Sequence, residues 1–318
     1  MFHGFRSGIT LLHQIELNRG HITKLRWSRD GRFLALPTQS GLIAIFDIET
    51  LQLTSTLGPH SGEVTAVSWN RNAELLLTSS LDRSIGLWEL KSGKRAPFTA
   101  GGHQEPVHSV EWTDEEAYAM TCSADRVRAF DGCCLLPGWT KEMEDASNAH
   151  TGFTAASCSC RSTFLLGMAA ENGTLLVLAS LLSGAVLDSV RMDQPVRCLA
   201  WSPAEELLAL PGGEGILVFR ATQEGFAAPP RELTMATPGV AALAFSGNGR
   251  LLSSRDALGL KIWDVRNGRL IAELHENVEI NFERRSPAGI AWHPTRPLLA
   301  AVTPNGNAFR ILNLSAIS

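Results

Sequence analysis

The stretch HSGEVTAVSWNRNAELLLTSSLDRSIGLWE, from His60 to Glu89, decides how this chain folds. It contains two short apolar segments, VTAVSW, which ends at Trp69, and RSIGLWE, which ends at Glu89. In the second segment Ile85 and Leu87 alternate with other residues, and a period of two is the pattern of a β-strand. The stretch therefore predicts a pair of β-strands with turns around them.

The same pattern recurs along the whole chain. The segments that resemble VTAVSW are ITKLRW, VTAVSW, VHSVEW, FTAASC, VRCLAW, VAALAF and PAGIAW, which end at Trp27, Trp69, Trp112, Cys158, Trp201, Phe245 and Trp292. Their ends lie 42 to 47 residues apart, close to the period of roughly 40–45 residues that a four-stranded propeller blade needs. A helical repeat would need apolar residues at i, i+3, i+4 and i+7, and no such run is sustained. The repeat therefore predicts seven β units.

These residues resemble the WD-repeat propellers, and the resemblance covers nearly the whole chain. The second unit matches best, because Trp88 and Glu89 stand where the family has its Trp-Asp pair. The sixth unit carries that pair literally, as Trp263 and Asp264. The resemblance implies an all-β fold, a seven-bladed β-propeller.

The family also implies a hydrogen-bonded network in each complete blade, formed by a His, a Ser or Thr, an Asp and the Trp. In the second unit its members are His60, Ser80 or Thr78, Asp82 and Trp88, and we take Ser80 as the hydroxyl. A buried network of this kind stabilises a fold only if every polar group finds its partner.

The last unit ends at its third strand, whereas the segment from Ile9 to Leu17 reads as a strand with no unit of its own. This N-terminal strand can complete the last blade and so remove an exposed sheet edge. We expect residues 1–318 to form a single domain, with a closing strand at 9–17 and blades that start near 20, 60, 103, 150, 193, 237 and 284.

Composition restricts the class of partner. The net charge of -4 and the pI near 6.1 make nucleic acid an unlikely main partner, because phosphate binding leaves a basic footprint. The longest largely apolar run in the most apolar region, Leu175 to Leu182, is far below the roughly 18 residues that span a bilayer, so no membrane partner is expected. The six cysteines form no disulfide-dense module and read as thiols in a reducing compartment, which predicts a cytoplasmic protein and leaves the nucleus open.

The sequence carries none of the common catalytic motifs. The chain has no GxSxG elbow, no HExxH helix and no phosphate-binding loop of the Walker type. Cys158-x-Cys160 is the sharpest metal candidate, but structural zinc needs four ligands at other spacings. We therefore expect no catalytic, metal-binding or cofactor-binding residue, no cofactor and no enzyme, with a propeller enzyme built around the central channel as the less favoured alternative.

WD-repeat proteins mostly act as platforms for assembling complexes, so the resemblance implies a protein-interaction scaffold or adaptor that binds a peptide or protein on its upper face. The alternative is a sensor or regulatory domain of a larger multidomain protein. By position in the family pattern, the candidate partner-binding residues are Gln39, Glu63, Leu81, His108, Arg197, Arg255 and Arg285. Because the arginines form a local exception in an acidic protein, we expect an acidic or phosphorylated partner segment.

Overall fold

Seven antiparallel sheets follow one another along the chain in the computed structural model. The structure describes residues 8–96, 103–113, 118–131, 140–143, 152–159, 165–234, 239–276 and 289–317. Across those ranges no helix is long and apolar enough to cross a bilayer.

Each sheet is one blade, and apart from β1, which joins the last blade, the strands of a blade are consecutive in the sequence. After strand β1 (Thr10–Glu16), blade 1 has β2 (Arg26–Trp27), β3 (Phe33–Pro37), β4 (Ile43–Asp47) and β5 (Gln52–Leu57). Blade 2 has β6 (Val64–Trp69), β7 (Leu75–Ser80), β8 (Ile85–Glu89) and β9 (Arg95–Ala96). Blade 3 has β10 (Val107–Trp112), β11 (Tyr118–Ser123), β12 (Val127–Asp131) and β13 (Thr140–Met143).

The second half of the chain continues the pattern. Blade 4 has β14 (Ala155–Cys158), β15 (Leu165–Ala170), a short 3-10 turn (Glu171–Gly173), β16 (Leu175–Ser180) and β17 (Val186–Arg191). Blade 5 has β18 (Ala200–Trp201), β19 (Leu207–Gly212), β20 (Gly215–Thr222), β21 (Gly225–Phe226) and β22 (Arg231–Thr234). Blade 6 has β23 (Ala242–Phe245), β24 (Leu251–Asp256), β25 (Gly259–Asp264) and β26 (Arg269–His275). Blade 7 has β27 (Ile290–Trp292), β28 (Leu298–Val302) and β29 (Ala308–Asn313).

The N-terminal strand completes blade 7, as the sequence predicted. Strand β1 pairs antiparallel with β29, and the order of the sheet is β1-β29-β28-β27. Two backbone bonds extend this closure, from Leu17 N–H to the carbonyl of Asn307 (2.7 Å) and from Ile22 N–H to the carbonyl of Gly306 (2.8 Å). The prediction of a seven-bladed propeller closed by an N-terminal strand is confirmed.

The apolar core lies between the blades. Each of seven buried clusters is made by two neighbouring blades: Ile45 and Val67, for example, join blades 1 and 2, and Phe46 packs edge-on against Phe309 of blade 7 at a centroid distance of 5.2 Å. A strand inside a blade therefore faces a neighbour on both sides. This explains the nearly continuous burial of β4, β6 and β25.

Two kinds of hydrogen bond fasten the inner strands of adjacent blades. At the lower end of these strands an indole N–H donates to a carbonyl of the preceding blade, as from Trp69 to Arg26 (3.1 Å). At the upper end a threonine hydroxyl donates to a carbonyl of the next blade. The indole bonds also run from Trp27 to Ala291, from Trp201 to Ser157 and from Trp292 to Ala244, and the hydroxyl bonds run from Thr23 to Val64, from Thr65 to Val107 and from Thr154 to Val196.

Removing residues 1–17 should destabilise the protein strongly, because it exposes the edge of β29 and removes the buried side chains of Ile9 and Leu17. Those two side chains alone contribute about 3–6 kcal/mol. The measurement is the midpoint of thermal or urea unfolding, with light scattering to detect aggregation. Deletion of residues 1–7, which leaves β1 whole, is the matched control, and an unchanged midpoint after the longer deletion would refute the role of the closing strand.

Candidate partner-binding site at the upper mouth of the channel

The upper face is defined by two kinds of segment that lie side by side. These are the connection that enters each inner strand and the turn between the second and third strands of the same blade. In blade 2 the Leu81 N–H donates to the carbonyl of Glu63 (2.9 Å), and in blade 1 the Gln39 N–H donates to the carbonyl of His21 (2.9 Å). A partner on this face would thus meet loops that the sheets hold in fixed positions.

Blade 2 contains a complete buried polar network. His60 Nε2 lies 2.7 Å from Thr78 Oγ1, which also accepts the indole N–H of Trp88 at 2.9 Å. On its other side His60 Nδ1 lies 3.3 Å from Asp82 Oδ2. The tautomer protonated at Nδ1 satisfies both contacts, since Nδ1–H then donates to the carboxylate and Nε2 accepts the hydroxyl hydrogen of Thr78.

The hydroxyl of this network belongs to Thr78 and not to Ser80, so the choice of Ser80 from the sequence needs correcting. Ser80 Oγ instead accepts the N–H of Asp82 in the turn (3.1 Å). Side chains on a strand alternate in direction, so Thr78 and Ser80 lie on the same face of β7. Of the two hydroxyls, that of Thr78 is the one within hydrogen-bond distance of the His60 ring. Gly86 lies next to this network, and a Cβ at residue 86 would be only 2.6 Å from Trp88 Nε1, so a larger residue would disturb it.

The protonation states follow from this geometry. Burial lowers the pKa of His60 and the carboxylate of Asp82 partly opposes the shift, so the imidazole stays neutral. Burial would raise the pKa of Asp82, but the hydroxyl and N–H of Ser84 and the N–H of Ser61 lower it to about 2. Asp82 is therefore ionised and accepts hydrogen bonds from the turn and from His60.

Other blades repeat the network in part. In blade 3, His103 lies 2.9 Å from Thr121 Oγ1 and 3.1 Å from Asp125 Oδ1. In blade 6, Trp263 donates its indole N–H to Ser254 Oγ (2.8 Å). The histidine is replaced there by a buried ion pair in which Lys261 Nζ lies 2.6 Å from Asp256 Oδ2.

The inner strands of all seven blades surround a central channel. Its cavity has a volume of about 590 Å³, which is within the range of ligand-binding pockets. The upper end of the cavity, which we call the channel mouth, is lined by His108 of blade 3, Gly152 and Asn172 of blade 4, and Arg197 of blade 5.

Positive charge predominates along the described lining of the channel. Its cations are Lys24, Arg26 and Arg197, and its one carboxylate is Glu111. Glu111 lies near the lower end, where it approaches Arg26 (3.7 Å) and accepts the hydroxyl of Ser157 (2.8 Å). The excess positive charge of this lining is therefore greatest from Lys24 to the channel mouth.

The residues predicted to bind a partner fall into three groups. Arg197 and His108 lie at the channel mouth. Gln39 and Leu81 are exposed on the upper face and Glu63 is half-buried there, but none of these three lines the channel. Arg285 lies outside the described residues.

Arg255 does not belong to the surface, and its prediction as a partner-binding residue is wrong. Its side chain is fully buried, pairs with Glu276 Oε2 at 2.8 Å and donates to the carbonyl of Val302 in blade 7. Burial lowers the pKa of Arg255, and Glu276 counteracts that shift. A buried cation must have such a partner, since its desolvation is otherwise too costly.

Several residues that line the channel were not predicted from the sequence, among them Lys24 and Asn172. Lys24 is the third residue of its repeat segment, where alternation along a strand could have indicated that it faces the channel. Asn172 is followed by Gly173, and an Asn-Gly pair indicates a turn without indicating where the amide lies. In the part of the chain that the structure describes, no three His, Cys, Asp or Glu side chains are grouped so as to hold a metal ion.

Comparison with known proteins is consistent with this architecture. A family model described as the anaphase-promoting complex subunit 4 WD40 domain matches residues 5–72. The WD repeat-containing protein slp1 of Schizosaccharomyces pombe is 25% identical over 256 residues, covering 78% of this chain and 50% of slp1. The human F-box-like/WD repeat-containing protein TBL1Y is 31% identical over 116 residues, covering 36% of this chain and 21% of TBL1Y.

Among solved structures, the β-propeller domain of Cps50 (Swd1) from Myceliophteria thermophila superposes with a TM-score of 0.79 at 21% identity, over 96% of this chain and 100% of that domain. This similarity establishes the propeller fold. The chain spans half or less of the length of the curated relatives it matches.

Replacing Thr78 by Val should destabilise blade 2, because the isosteric change leaves Trp88 Nε1–H and His60 Nε2 buried without their partner. We expect a loss of about 1–3 kcal/mol for each buried group left unsatisfied, measured by urea unfolding. Ser80→Ala is the matched control and should cost less, since it removes a hydrogen bond in a turn. An equal or larger cost for Ser80→Ala would contradict the assignment of Thr78.

Stability should fall as the pH is lowered from 7 towards 5. His60 and His103 have pKa values below 6.5 in the folded protein, so the unfolded chain takes up protons first and unfolding is favoured as the pH passes below about 6.5. Asp82 and Asp125, with pKa values of about 2, contribute a further loss between about pH 4 and pH 2. Unfolding free energies at pH 7 and 5 test the first step, and the slope should be smaller in His60→Gln.

Proposed function

Since this chain is a WD-repeat β-propeller protein, we propose that it is a non-enzymatic scaffold or adaptor that binds a protein or peptide partner on its upper face. The partner segment is acidic or phosphorylated and sits over the channel mouth, with Arg197 and His108 as its first contacts. The chain acts as one member of a larger complex.

The observation that supports this proposal best is the charge of the channel. Three cations and a single carboxylate line its described wall, whereas the whole protein carries a formal net charge of -4. A concave wall of one sign concentrates the field inside it and attracts a ligand of the opposite sign. A guanidinium can in addition hold a carboxylate or phosphate in a bidentate geometry.

The rigidity of the ring supports a binding role for the same face. The turns and entry loops are fixed by backbone bonds such as Leu81 to Glu63, so little ordering entropy is lost when a partner docks. Gln39, Glu63 and Leu81 lie outside the channel wall and would contact flanking parts of the same partner. A family model named after a subunit of a multiprotein complex matches the first quarter of the chain, which favours membership of a complex.

A second candidate is a sensor or regulatory propeller within a larger multidomain protein. The relatives are at least twice as long as the part that this chain matches, which favours such an arrangement. We propose that residues 1–318 form one propeller in either setting, because the closing strand and the last blade join the two ends of this stretch.

Arg197→Glu should weaken peptide binding. A suitable probe is a fluorescent peptide library with four random residues on either side of a fixed phosphoserine, from which the tightest single sequence is then resynthesised. Reversing the charge at the channel mouth should lower its affinity several-fold, on the order of fivefold to tenfold, and flatten the dependence on salt concentration. Fluorescence polarisation at several salt concentrations measures both effects.

Arg220→Glu is the matched control, because it makes the same charge change in the same blade at an exposed position that does not line the channel. It should leave the affinity nearly unchanged. If Arg197→Glu folds and binds like the wild type, or if no library sequence binds the wild type, the proposed site is wrong. The unphosphorylated and Glu-substituted versions of the selected peptide distinguish a phosphate partner from a carboxylate partner.

A further inference from the structure

The turn that follows β15 in blade 4 has a backbone conformation that side chains other than glycine rarely adopt. Glu171, Asn172 and Gly173 have φ angles of 49°, 58° and 90° in succession. Asn tolerates this left-handed region better than most residues, but two consecutive residues with side chains there still carry strain. Such strain persists only where the surroundings impose it, and it concentrates at binding sites.

The surroundings of this turn do impose it. Asn172 N–H donates to the carbonyl of Gly152 (2.8 Å), and the carbonyl of Gly173 accepts the N–H of Val196 in blade 5 (2.9 Å). The Thr174 hydroxyl donates to the carbonyl of Glu171 (2.8 Å). A Cβ at residue 152 would lie 2.4 Å from Asn172 Oδ1, so only glycine at that position leaves room for the amide.

The side-chain amide of Asn172 is not used to hold the turn. The side chain of Asn172 is exposed, lines the channel mouth and forms no hydrogen bond within the described part of the chain. An amide side chain offers an acceptor and two donors, which matches the C=O and N–H of a peptide unit. His108 of blade 3 and Arg197 of blade 5 belong to the same channel mouth.

We infer that Asn172 recognises the main chain of the bound segment: its amide donates to a carbonyl and accepts an N–H of an extended peptide that crosses the channel mouth from blade 3 to blade 5. Side chains of an extended peptide alternate in direction, so a main chain held at Asn172 directs every second side chain into the channel. The acidic or phosphorylated side chain then reaches Arg197. This inference rests on the proposed function and names what the same site recognises besides charge.

The test uses the phosphoserine peptide selected above, in its ordinary form and in a series methylated at one main-chain nitrogen after another. Asn172→Gly should lower affinity for the ordinary peptide about tenfold, the effect of one or two lost hydrogen bonds. It should fold normally, because glycine adopts the left-handed conformation without strain, and the melting temperature checks this. In the wild type one methylation should weaken binding strongly, and in Asn172→Gly the same methylation should have little further effect.

Arg83→Gly provides the matched control. Arg83 also has a positive φ, of 70°, in an upper-face turn, but it does not line the channel, so its replacement should leave the affinity unchanged. If Arg197→Glu weakens binding while Asn172→Gly binds and responds to methylation like the wild type, main-chain recognition is overturned and the charged site stands. If neither variant weakens binding, or no library peptide binds the wild type, both are overturned.

Discussion

Every blade of this protein depends on its neighbours for its core. The seven apolar clusters each combine side chains from two adjacent blades, so a blade with a missing neighbour would expose one whole face. The same holds for blade 7 and blade 1, which share a cluster containing Phe309 and Phe46. A closed ring is the arrangement that buries both faces of all seven sheets, and the pairing of β1 with β29 fastens that ring.

The polar contacts between blades are less uniform than the apolar ones. Blades 1, 2 and 4 use a threonine hydroxyl to reach the next blade, at Thr23, Thr65 and Thr154. Blade 6 has Ala241 at this position, and the contact with blade 7 is made instead by the guanidinium of Arg255. The guanidinium of Arg255 also pairs with Glu276, and Glu276 pairs in turn with Arg310 of β29. Arg310 donates a further hydrogen bond to Gln14 of the closing strand. Between blades 6 and 7, next to the strand that closes the ring, the buried pair of Arg255 and Glu276 thus replaces the threonine hydroxyl that joins other blades.

The fold could be predicted from the sequence because the repeat is expressed in apolar periodicity, which burial enforces. The seven repeat segments, of which the first ends at Trp27 and the last at Trp292, predict the number of blades. The additional strand before the first unit predicts that the N-terminus completes the last blade. Polar positions were harder to interpret, since a repeat pattern gives the position of a side chain but not its partner. Arg255 stands at a position where the repeat pattern predicts an exposed residue of the upper rim. Glu276, 21 residues further on, provides the carboxylate that stabilises the buried guanidinium. Asn172 was missed for a related reason: an Asn-Gly pair indicates a turn, and only the three-dimensional structure shows that the amide faces the channel.

The location of the candidate site follows from the same variation among blades. The position held by Thr23, Thr65 and Thr154 is occupied by His108 in blade 3 and by Arg197 in blade 5. In both blades the contact with the next blade passes to the following residue, from Ser109 Oγ to the carbonyl of Ala156 (3.1 Å) and from Cys198 Sγ to the carbonyl of Val240 (3.9 Å).

The thiol contact is the weaker of the two, since a thiol is a poor donor, and burial raises the pKa of Cys198 to about 12, so the group remains a neutral thiol. In blades 3 and 5 the residue at the threonine position lines the channel mouth, as His108 and Arg197 do, and the residue after it makes the contact with the next blade. The channel mouth therefore has an imidazole and a guanidinium at the positions where blades 1, 2 and 4 have a threonine that joins two blades.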